Sequence, residues 1–357
     1  MLTKGCDRAY LDDMNEIEQQ FGRHIIAKRN FMKKRIRVWI YCIGTCMCLS
    51  ACGTQESDKE IKQNDYVKVE PEAVEKSEQK SLQEENVSQG DTSQMDTESV
   101  ETPAPYQYFD TQGMTLESRI CVPEGYARTA AETDSLTEFL RTYPLKEHGS
   151  PVLLYDGSEK WSQDAHVAVF ALPIEERDLQ QCADSVMRVY AEYYWSAQKY
   201  EKIRFHFTNG FWAEYGKWRE GYRISVEGNQ VSWVKSANYD DSYETFVKFL
   251  RMVFTYAGTL SMEQESEQIS VKEARVGDVI LKGGSPGHVV MIVDMCENEQ
   301  GQKAFLLAQG YMPAQEFHVL KNPAHEENPW YYEGELTGSI RTPEYGFGKG
   351  CLKRLSY

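Results

Sequence analysis

The sequence predicts an α+β domain over residues 106–357, in which a long helix packs on a mostly antiparallel sheet. Two long segments carry apolar residues at the three-to-four-residue spacing of an amphipathic helix. Several short runs rich in β-branched residues, bounded by turn-forming residues, have the character of strands. Residues 53–105 are far more polar, so the folded region is expected to begin near residue 106.

The strongest helical pattern covers residues 178–197. Its apolar residues form one face, and Asp178 and Gln181 have the spacing of a capping box, which predicts that the helix begins at Asp178. A second long helix is predicted from Ser242 to about Ala257, and a short one over residues 135–143. Residues 119–122 are predicted to form a strand.

Two buried strands joined by a tight turn are predicted between Gly277 and Asp294. Residues 279–281 and 289–293 are short apolar runs, and the connector between them is Gly283-Gly284-Ser285-Pro286-Gly287. His288 stands where the second strand begins, at the edge of a rigid sheet, which is a suitable position for a general base. Further strands are predicted over residues 304–309, 317–320 and 351–355.

The first 105 residues divide into two parts. Arg29, Lys33 and neighbouring basic residues precede an apolar run over residues 38–49, which ends in Leu49-Ser50-Ala51-Cys52. This is the pattern of a bacterial lipoprotein signal, in which the thiol of Cys52 accepts a diacylglyceryl group and becomes the new N-terminus. The run is shorter than the about 20 residues of a membrane-spanning helix. Residues 1–31 add nothing to the signal, and Met32 is a more ordinary start.

Residues 53–105 contain 14 acidic and 5 basic residues and a single aromatic one, Tyr66. Such a segment buries too little apolar surface to offset the entropy of ordering, so a disordered tether is expected. The predicted organisation is therefore a signal region over residues 1–52, a tether over 53–105 and one folded domain over 106–357. The lipid would hold this domain at the cell membrane, facing outside the cytoplasm.

The folded region has 25 basic and 36 acidic residues, a net charge of −11. This balance disfavours nucleic acid as a partner, because its phosphates would be repelled. No metal-ligand spacing stands out, and no cofactor or metal is expected. Four cysteines fall in this region, Cys121, Cys182, Cys296 and Cys351. In an exported protein they could form two disulfides, and a free catalytic thiol is an equally good interpretation.

The stretch from Gly277-Asp278 to Gly287-His288-Val289 and the apolar residues after it resembles a segment of papain-like cell-wall enzymes of the NlpC and CHAP kinds. In those enzymes the segment carries the catalytic histidine. The resemblance implies a papain-like fold with a nucleophilic cysteine at the start of an earlier helix. Cys182 lies in the first turn or two of its predicted helix, where unpaired amides and the helix dipole favour a thiolate. NlpC-like enzymes usually have Asp-Cys-Ser, whereas this chain has Gln181-Cys182-Ala183-Asp184.

In such a fold a polar residue on the neighbouring strand orients the imidazole, and Gln309 is the best placed. Residues 106–357 also resemble a family of bacterial lipoproteins known only as a domain of unknown function. That resemblance implies an exported, lipid-anchored protein and supplies no activity. It rests on the runs at residues 149–155, 178–184, 207–211, 253–260 and 306–309.

These observations lead to two functional hypotheses. The first is a lipid-anchored cysteine amidase or peptidase acting on peptidoglycan or another envelope amide, with Cys182, His288 and Gln309 as its catalytic residues. The second is a non-catalytic envelope lipoprotein that binds a glycan or a protein partner through the aromatic-rich segment over residues 205–233. In the second hypothesis Cys182 is a small buried residue and His288 caps a turn. His206, between two phenylalanines, is more simply structural.

Overall fold

The computed structural model describes residues 106–357. Cys52, the signal region and the predicted tether lie outside the described residues. The described part contains six α-helices, short 3-10 turns and fifteen strands. The α+β content with mostly antiparallel pairing is as predicted from the sequence. No helix between residues 106 and 357 combines the length and the apolar character needed to cross a bilayer.

The helices are short except for two. They span Leu116–Arg119 (α1), Leu136–Thr142 (α2), Cys182–Ser196 (α3), Tyr215–Arg219 (α4), Tyr243–Tyr256 (α5) and Thr259–Gln264 (α6). The second long helix, α5, begins where the sequence predicts, because the hydroxyl of Ser242 accepts a hydrogen bond from the Thr245 amide as an N-cap.

The strands vary from two to eleven residues in length. They span Tyr126–Arg128 (β1), His166–Val169 (β2), Arg204–His206 (β3), Trp212–Glu214 (β4), Tyr222–Glu227 (β5), Gln230–Lys235 (β6), Ser266–Gln268 (β7), Val279–Lys282 (β8), His288–Asn298 (β9), Lys303–Gln309 (β10), His318–Leu320 (β11), Tyr331–Tyr332 (β12), Ile340–Arg341 (β13), Gly346–Phe347 (β14) and Leu352–Leu355 (β15).

Nine strands form one sheet, in the order β2-β11-β10-β9-β8-β15-β7, with β1 pairing to β9 and β12 to β10. The long strand β9 lies at its centre, between β8 and β10. Because β9 and β10 are antiparallel, the first residue of β9 and the last residue of β10 meet at the same end of the sheet. This places His288 and Gln309 close to each other.

Both faces of the sheet are covered. Val289, Met291 and Val293 pack into a large apolar cluster that includes the long helices, and the alternate residues Val290 and Ile292 pack into a second cluster. The second cluster contains side chains from the C-terminal part of the chain, such as Phe347. A strand buried on both sides reads as a continuous apolar run in the sequence, which is what residues 289–293 show.

One strand prediction is wrong. Residues 119–122 were expected to be extended, but Arg119 ends the short helix α1, and only Ile120 forms a single bridge, to Phe109. Thr115 and Ser118 form a capping box that starts this helix. The guanidinium of Arg119 is buried and its Nε donates to the Gly113 carbonyl at 2.6 Å. The capping box and the buried Arg119 side chain therefore favour a helical turn where the sequence pattern of residues 119–122 had predicted a strand.

Candidate active site

The helix α3 begins at Cys182, four residues later than its sequence pattern predicts. Gln181 is the N-cap residue, and its amide donates to Asp184 Oδ2 at 3.1 Å. Asp178 does not cap the helix. Its Oδ1 accepts from Gln181 Nε2 at 3.0 Å and from the Ala314 amide at 2.7 Å, which ties the preceding loop to the loop after β10. The cysteine is therefore the first residue of the helix.

A glycine allows this helix end to approach the sheet. Gly310 follows β10, and a Cβ atom at this position would lie 2.1 Å from Ser185 Oγ and 3.1 Å from the Gln181 carbonyl oxygen. Distances this short exclude a side chain unless the helix moves. The close contact brings the start of α3 against the end of β10.

His288 is buried, with 2% of its surface exposed. Its ring lies among aromatic side chains, with centroids 4.7 Å from Tyr311, 4.9 Å from Tyr345 and 5.9 Å from Phe347. The Nε2 of the ring is 2.7 Å from Gln309 Oε1. An amide oxygen only accepts, so the ring carries its proton on Nε2 and keeps a free lone pair on Nδ1.

Behind the histidine lies a chain of polar side chains. Gln309 Nε2 donates to Glu344 Oε2 at 2.7 Å, and Lys160 Nζ donates to the same oxygen at 2.6 Å. Gln309 Nε2 is also 3.5 Å from Nε2 of His318. Gln309 and His318 are fully buried. The predicted pairing of Gln309 with His288 is thus present, and it is part of a larger network.

Cys182 and His288 line the same cavity, which has a volume of about 590 Å³. The backbone amide of Val289, the residue after the histidine, acts on the Cys182 thiol in the direction that lowers its pKa. The other walls come from the loop before α3, the start of α6, the glycine-rich corner between β8 and β9, and the loops that carry Tyr311 and Tyr345. A ligand in this cavity would contact both the thiol and the edge of the imidazole.

The cysteine and the histidine are both neutral near pH 7. Burial raises the pKa of the Cys182 thiol to about 11, and the nearby Asp184 adds to the rise, although the amides of Ala183 and Val289 act in the opposite direction. Burial lowers the pKa of His288 to about 4, in spite of its hydrogen bond to Gln309. The helix start was expected to favour a thiolate, but desolvation outweighs the dipole here.

The size of these shifts decides which form the pair takes. The pKa values of about 11 and about 4 differ by about 7 units, which is about 10 kcal/mol at about 1.4 kcal/mol per unit. Even two opposite charges in direct contact, about 4 Å apart, attract each other by only about 4 kcal/mol in a partly screened site. The resting pair is therefore thiol and imidazole, and the imidazole is available as a base.

Sequence patterns did not indicate Lys160, Glu344, Tyr311 or Tyr345. Lys160 and Glu344 are 184 positions apart in the chain, and they meet only because the loops before β2 and between β13 and β14 reach the same end of the sheet. No local spacing connects them. Tyr311, two residues after Gln309, was near a predicted site residue, which is a weak signal.

The aromatic-rich segment is mostly core. Phe205, Phe207, Tyr215 and Trp218 are buried. His206 lies in the same segment, pairs with Glu265 at 2.8 Å and is not part of the cavity wall. The row of exposed rings that a glycan surface would need is thus not present in residues 205–218.

The other cysteines and possible metal ligands within residues 106–357 were also located. Cys121, Cys182, Cys296 and Cys351 are all free thiols. No group of three or more histidine, cysteine or acidic side chains in this part of the chain is arranged to hold a metal ion.

A family model described as "Domain of unknown function (4846)" matches residues 116–354, and the chain belongs to this family. The match covers nearly the whole described region and confirms the predicted resemblance to a domain of unknown function. No curated protein and no solved structure matches the chain. The family supplies no activity, so a function has to be argued from the site.

Proposed function

We propose that this protein is a lipid-anchored cell-envelope enzyme, a cysteine amidase or peptidase with a papain-like arrangement of Cys182, His288 and Gln309. The observation that carries the proposal is the shared cavity. One wall has a cysteine at the first residue of a long helix, and another has a histidine whose far nitrogen is held by a glutamine. Nucleophile, base and orienting residue are the elements that acyl transfer requires.

The order of the elements supports the papain-like interpretation. The cysteine helix α3 comes before the two central strands β9 and β10 in the chain, the histidine opens β9, and the glutamine closes β10, the next strand along the chain. The same order is implied by the resemblance of residues 277–293 to NlpC-like and CHAP-like enzymes. The added segment between Cys182 and His288 folds into α4, α5, α6 and two hairpins outside the main sheet.

In the proposed reaction, Cys182 Sγ attacks the carbonyl carbon of an amide while His288 Nδ1 accepts the thiol proton. The tetrahedral intermediate collapses, the C–N bond breaks, and the proton passes from Nδ1 to the leaving amine. Water then attacks the thioester with His288 again accepting a proton, which releases the carboxylic acid and restores the thiol. Gln309 Oε1 keeps its hydrogen bond to Nε2–H throughout and stabilises the transient imidazolium.

Proton transfer in this scheme accompanies the attack of sulfur. A neutral thiol and a neutral imidazole avoid the cost of a buried ion pair at rest, and charge develops only when a carbonyl oxygen is present to receive it. This differs from a resting thiolate–imidazolium pair, which would be most reactive at mildly acid pH. Amide cleavage is instead expected to be independent of pH between about pH 5 and pH 7, where both groups are neutral, and alkylation of the thiol to become faster as the pH approaches its pKa of about 11.

The substrate is proposed to be a peptidoglycan stem peptide or another amide of the envelope. The support is the lipoprotein signal ending at Cys52, which would expose the domain to the envelope polymer, together with the resemblance to cell-wall enzymes. The non-catalytic alternative has less support, because Phe205, Phe207, Tyr215 and Trp218 of the aromatic-rich segment are buried and Tyr222 is its one exposed ring.

Alkylation tests the proposal in the full-length chain. Iodoacetamide should modify Cys182 through the cavity much faster than the fully buried Cys296, and the rate should rise with pH. His288→Ala removes the base and should slow the modification of Cys182 without changing that of Cys121, as measured by mass spectrometry of the labelled peptides. Equal labelling of Cys182 with and without His288 would remove the catalytic interpretation.

A further inference from the structure

The carboxylate of Glu344 receives two hydrogen bonds on one oxygen. Lys160 Nζ lies 2.6 Å from Glu344 Oε2, and Gln309 Nε2 lies 2.7 Å from the same atom. A carboxylate is only an acceptor, so the end of the Gln309 amide that faces Glu344 has to be the NH2 group. The amide cannot turn over without directing its oxygen at a negatively charged oxygen.

His318 provides a second acceptor that favours the same orientation of the Gln309 amide. His318 Nδ1 donates to the Glu316 carbonyl at 2.8 Å, which leaves its Nε2 as an acceptor. That Nε2 is 3.5 Å from Gln309 Nε2, so both hydrogens of the amide point at acceptors. With the NH2 end held by Glu344 and His318, Gln309 Oε1 has to face His288.

We propose that Glu344, anchored by the buried ammonium group of Lys160, is a positioning residue that sets the amide of Gln309 and through it the Nε2–H tautomer of His288. The role rests on the proposed function, since the tautomer matters because it leaves Nδ1 free to accept the thiol proton. Glu344 touches neither the thiol nor the imidazole. It acts two hydrogen bonds away from the reacting atoms.

The burial of the pair gives it the needed rigidity. The Lys160 side chain is 5% exposed and that of Glu344 is 16% exposed, so water competes poorly for their bond. Lys160 also lies near His166, His288 and His318, and its positive charge contributes to the lowered pKa of each. Glu344 therefore balances a buried charge that faces three histidines, besides holding the amide.

The loop that carries Glu344 also covers the imidazole. Tyr345 follows it directly and packs against His288 at 4.9 Å, and its hydroxyl donates to the Pro286 carbonyl at 3.4 Å. The groups that face His288 are thus Cys182 across the cavity, Gln309 at Nε2, the rings of Tyr311, Tyr345 and Phe347, and Lys160 behind the network. Glu344 reaches the histidine through the hydrogen bonds of the network, and its neighbour Tyr345 reaches it through ring packing.

The proposal is tested by NMR of the full-length chain labelled with ¹⁵N in the histidine rings, with His288 assigned from the signals lost in His288→Asn. In the parent, Nδ1 of His288 should resonate as an unprotonated nitrogen and Nε2 as a protonated one. Glu344→Ala should give a mixture of the two tautomers and slow the alkylation of Cys182 about tenfold, the loss expected when a hydrogen bond to a charged group no longer orders the amide.

Glu344→Gln provides the conservative variant. Its side-chain oxygen can still accept from both Lys160 and Gln309, so the parent tautomer should be retained. Glu327→Ala, a change at an exposed glutamate outside the network, should have no effect. If Glu344→Ala unfolds the domain because the Lys160 ammonium group is left unpaired, the double variant Glu344→Ala with Lys160→Met supplies the same test, because it removes the acceptor together with the buried charge.

Two results would overturn the proposal. One is an unchanged His288 tautomer in folded Glu344→Ala or in the folded double variant Glu344→Ala with Lys160→Met. The other is a loss of the tautomer in Glu344→Gln as large as in Glu344→Ala, which would assign the effect to charge and not to the shared oxygen. Both are read from the histidine itself and need no substrate, so they are separate from any failure to find amide cleavage.

Discussion

At the scale of single residues, burial drives Cys182, Asp184 and His288 toward their neutral forms. The pKa of His288 falls to about 4, and that of Asp184 rises to about 8 because its carboxyl group is fully buried. The Cys182 thiol, with a pKa of about 11, is protonated as well. Between about pH 5 and pH 7 the start of α3 and the histidine opposite it are therefore uncharged.

The raised pKa of Asp184 should make the stability of the folded protein depend on pH. Between its ordinary pKa of 3.8 and its folded value of about 8, the folded protein holds a proton that the unfolded chain has lost, so its contribution to stability falls as the pH rises. Asp184→Asn removes this titration and keeps an oxygen for the Gln181 amide. The free energy of unfolding of the variant, relative to the parent, should increase between pH 5 and pH 8, by up to about 4 kcal/mol at about 1.4 kcal/mol per unit.

Urea denaturation at several pH values measures this difference. Asp156→Asn is the matched control, because hydrogen bonds from Ser158 hold the pKa of that exposed carboxyl group below its usual value. The contribution of Asp156 to the free energy of unfolding is lost only at more acid pH. The plot of this free energy against pH for Asp156→Asn should therefore run parallel to that of the parent between pH 5 and pH 8. If the Asp184→Asn curve is also parallel to the parent, the carboxyl group is ionised in the folded protein.

At the scale of the elements, the site depends on how closely α3 approaches the end of β10. Gly310→Ala would place a methyl group 2.1 Å from Ser185 Oγ and 2.9 Å from Ser185 Cβ. The helix start has to move, and we expect a loss of about 1–3 kcal/mol, typical of overpacking in a core. The alkylation of Cys182 should slow in parallel, since the sulfur would shift from the Val289 amide.

A second substitution separates this clash from other effects. Ser185→Gly removes the atoms that the new methyl group would meet, so Gly310→Ala combined with Ser185→Gly should be more stable than the sum of the two single changes predicts. Thermal unfolding of the four proteins gives the coupling energy. Strictly additive effects would mean that the helix and the strand end are not in the contact described.

Some of these elements could be predicted from the local sequence, and others could not. The hairpin of β8 and β9, with His288 at the start of one strand, follows from apolar runs and turn residues. Gln309 at the end of β10 follows from the pairing of adjacent strands. The sequence pattern placed the start of α3 too early. Asp178 has the spacing of a capping residue, but its carboxylate accepts a hydrogen bond from the Ala314 amide, 136 positions away, and does not cap the helix. Lys160 and Glu344 carry no local signal, since only the folded topology brings them together.

At the scale of the whole molecule, the described domain is a sheet with both faces covered and with its polar network at one end. This network and the cavity lie where β9 begins and β10 ends, so the rest of the sheet serves as a rigid support. The acidic balance of residues 106–357 makes direct contact with anionic lipid unfavourable. Attachment to a membrane would then depend on the lipid at Cys52.

Metabolic labelling with a palmitate analogue tests this attachment in a bacterial host. The parent chain should take up the label and partition with the membrane fraction, and Cys52→Ala should lose both properties because no other thiol occupies the modification position. Cys42→Ala changes a cysteine in the same region outside that position and should label normally. Persistent labelling of Cys52→Ala would contradict the lipoprotein interpretation.

The most direct measurement is the release of amino groups from peptidoglycan by the full-length protein, with the products identified by mass spectrometry. We expect time-dependent cleavage of an amide bond that is lost in Cys182→Ala and His288→Ala and retained in Cys351→Ala, with all four proteins folded. The rate should stay level between about pH 5 and pH 7, since His288 remains an unprotonated base above its pKa of about 4. Equal release by the parent and by Cys182→Ala, or no release by a parent whose Cys182 is readily alkylated, would contradict the proposed activity.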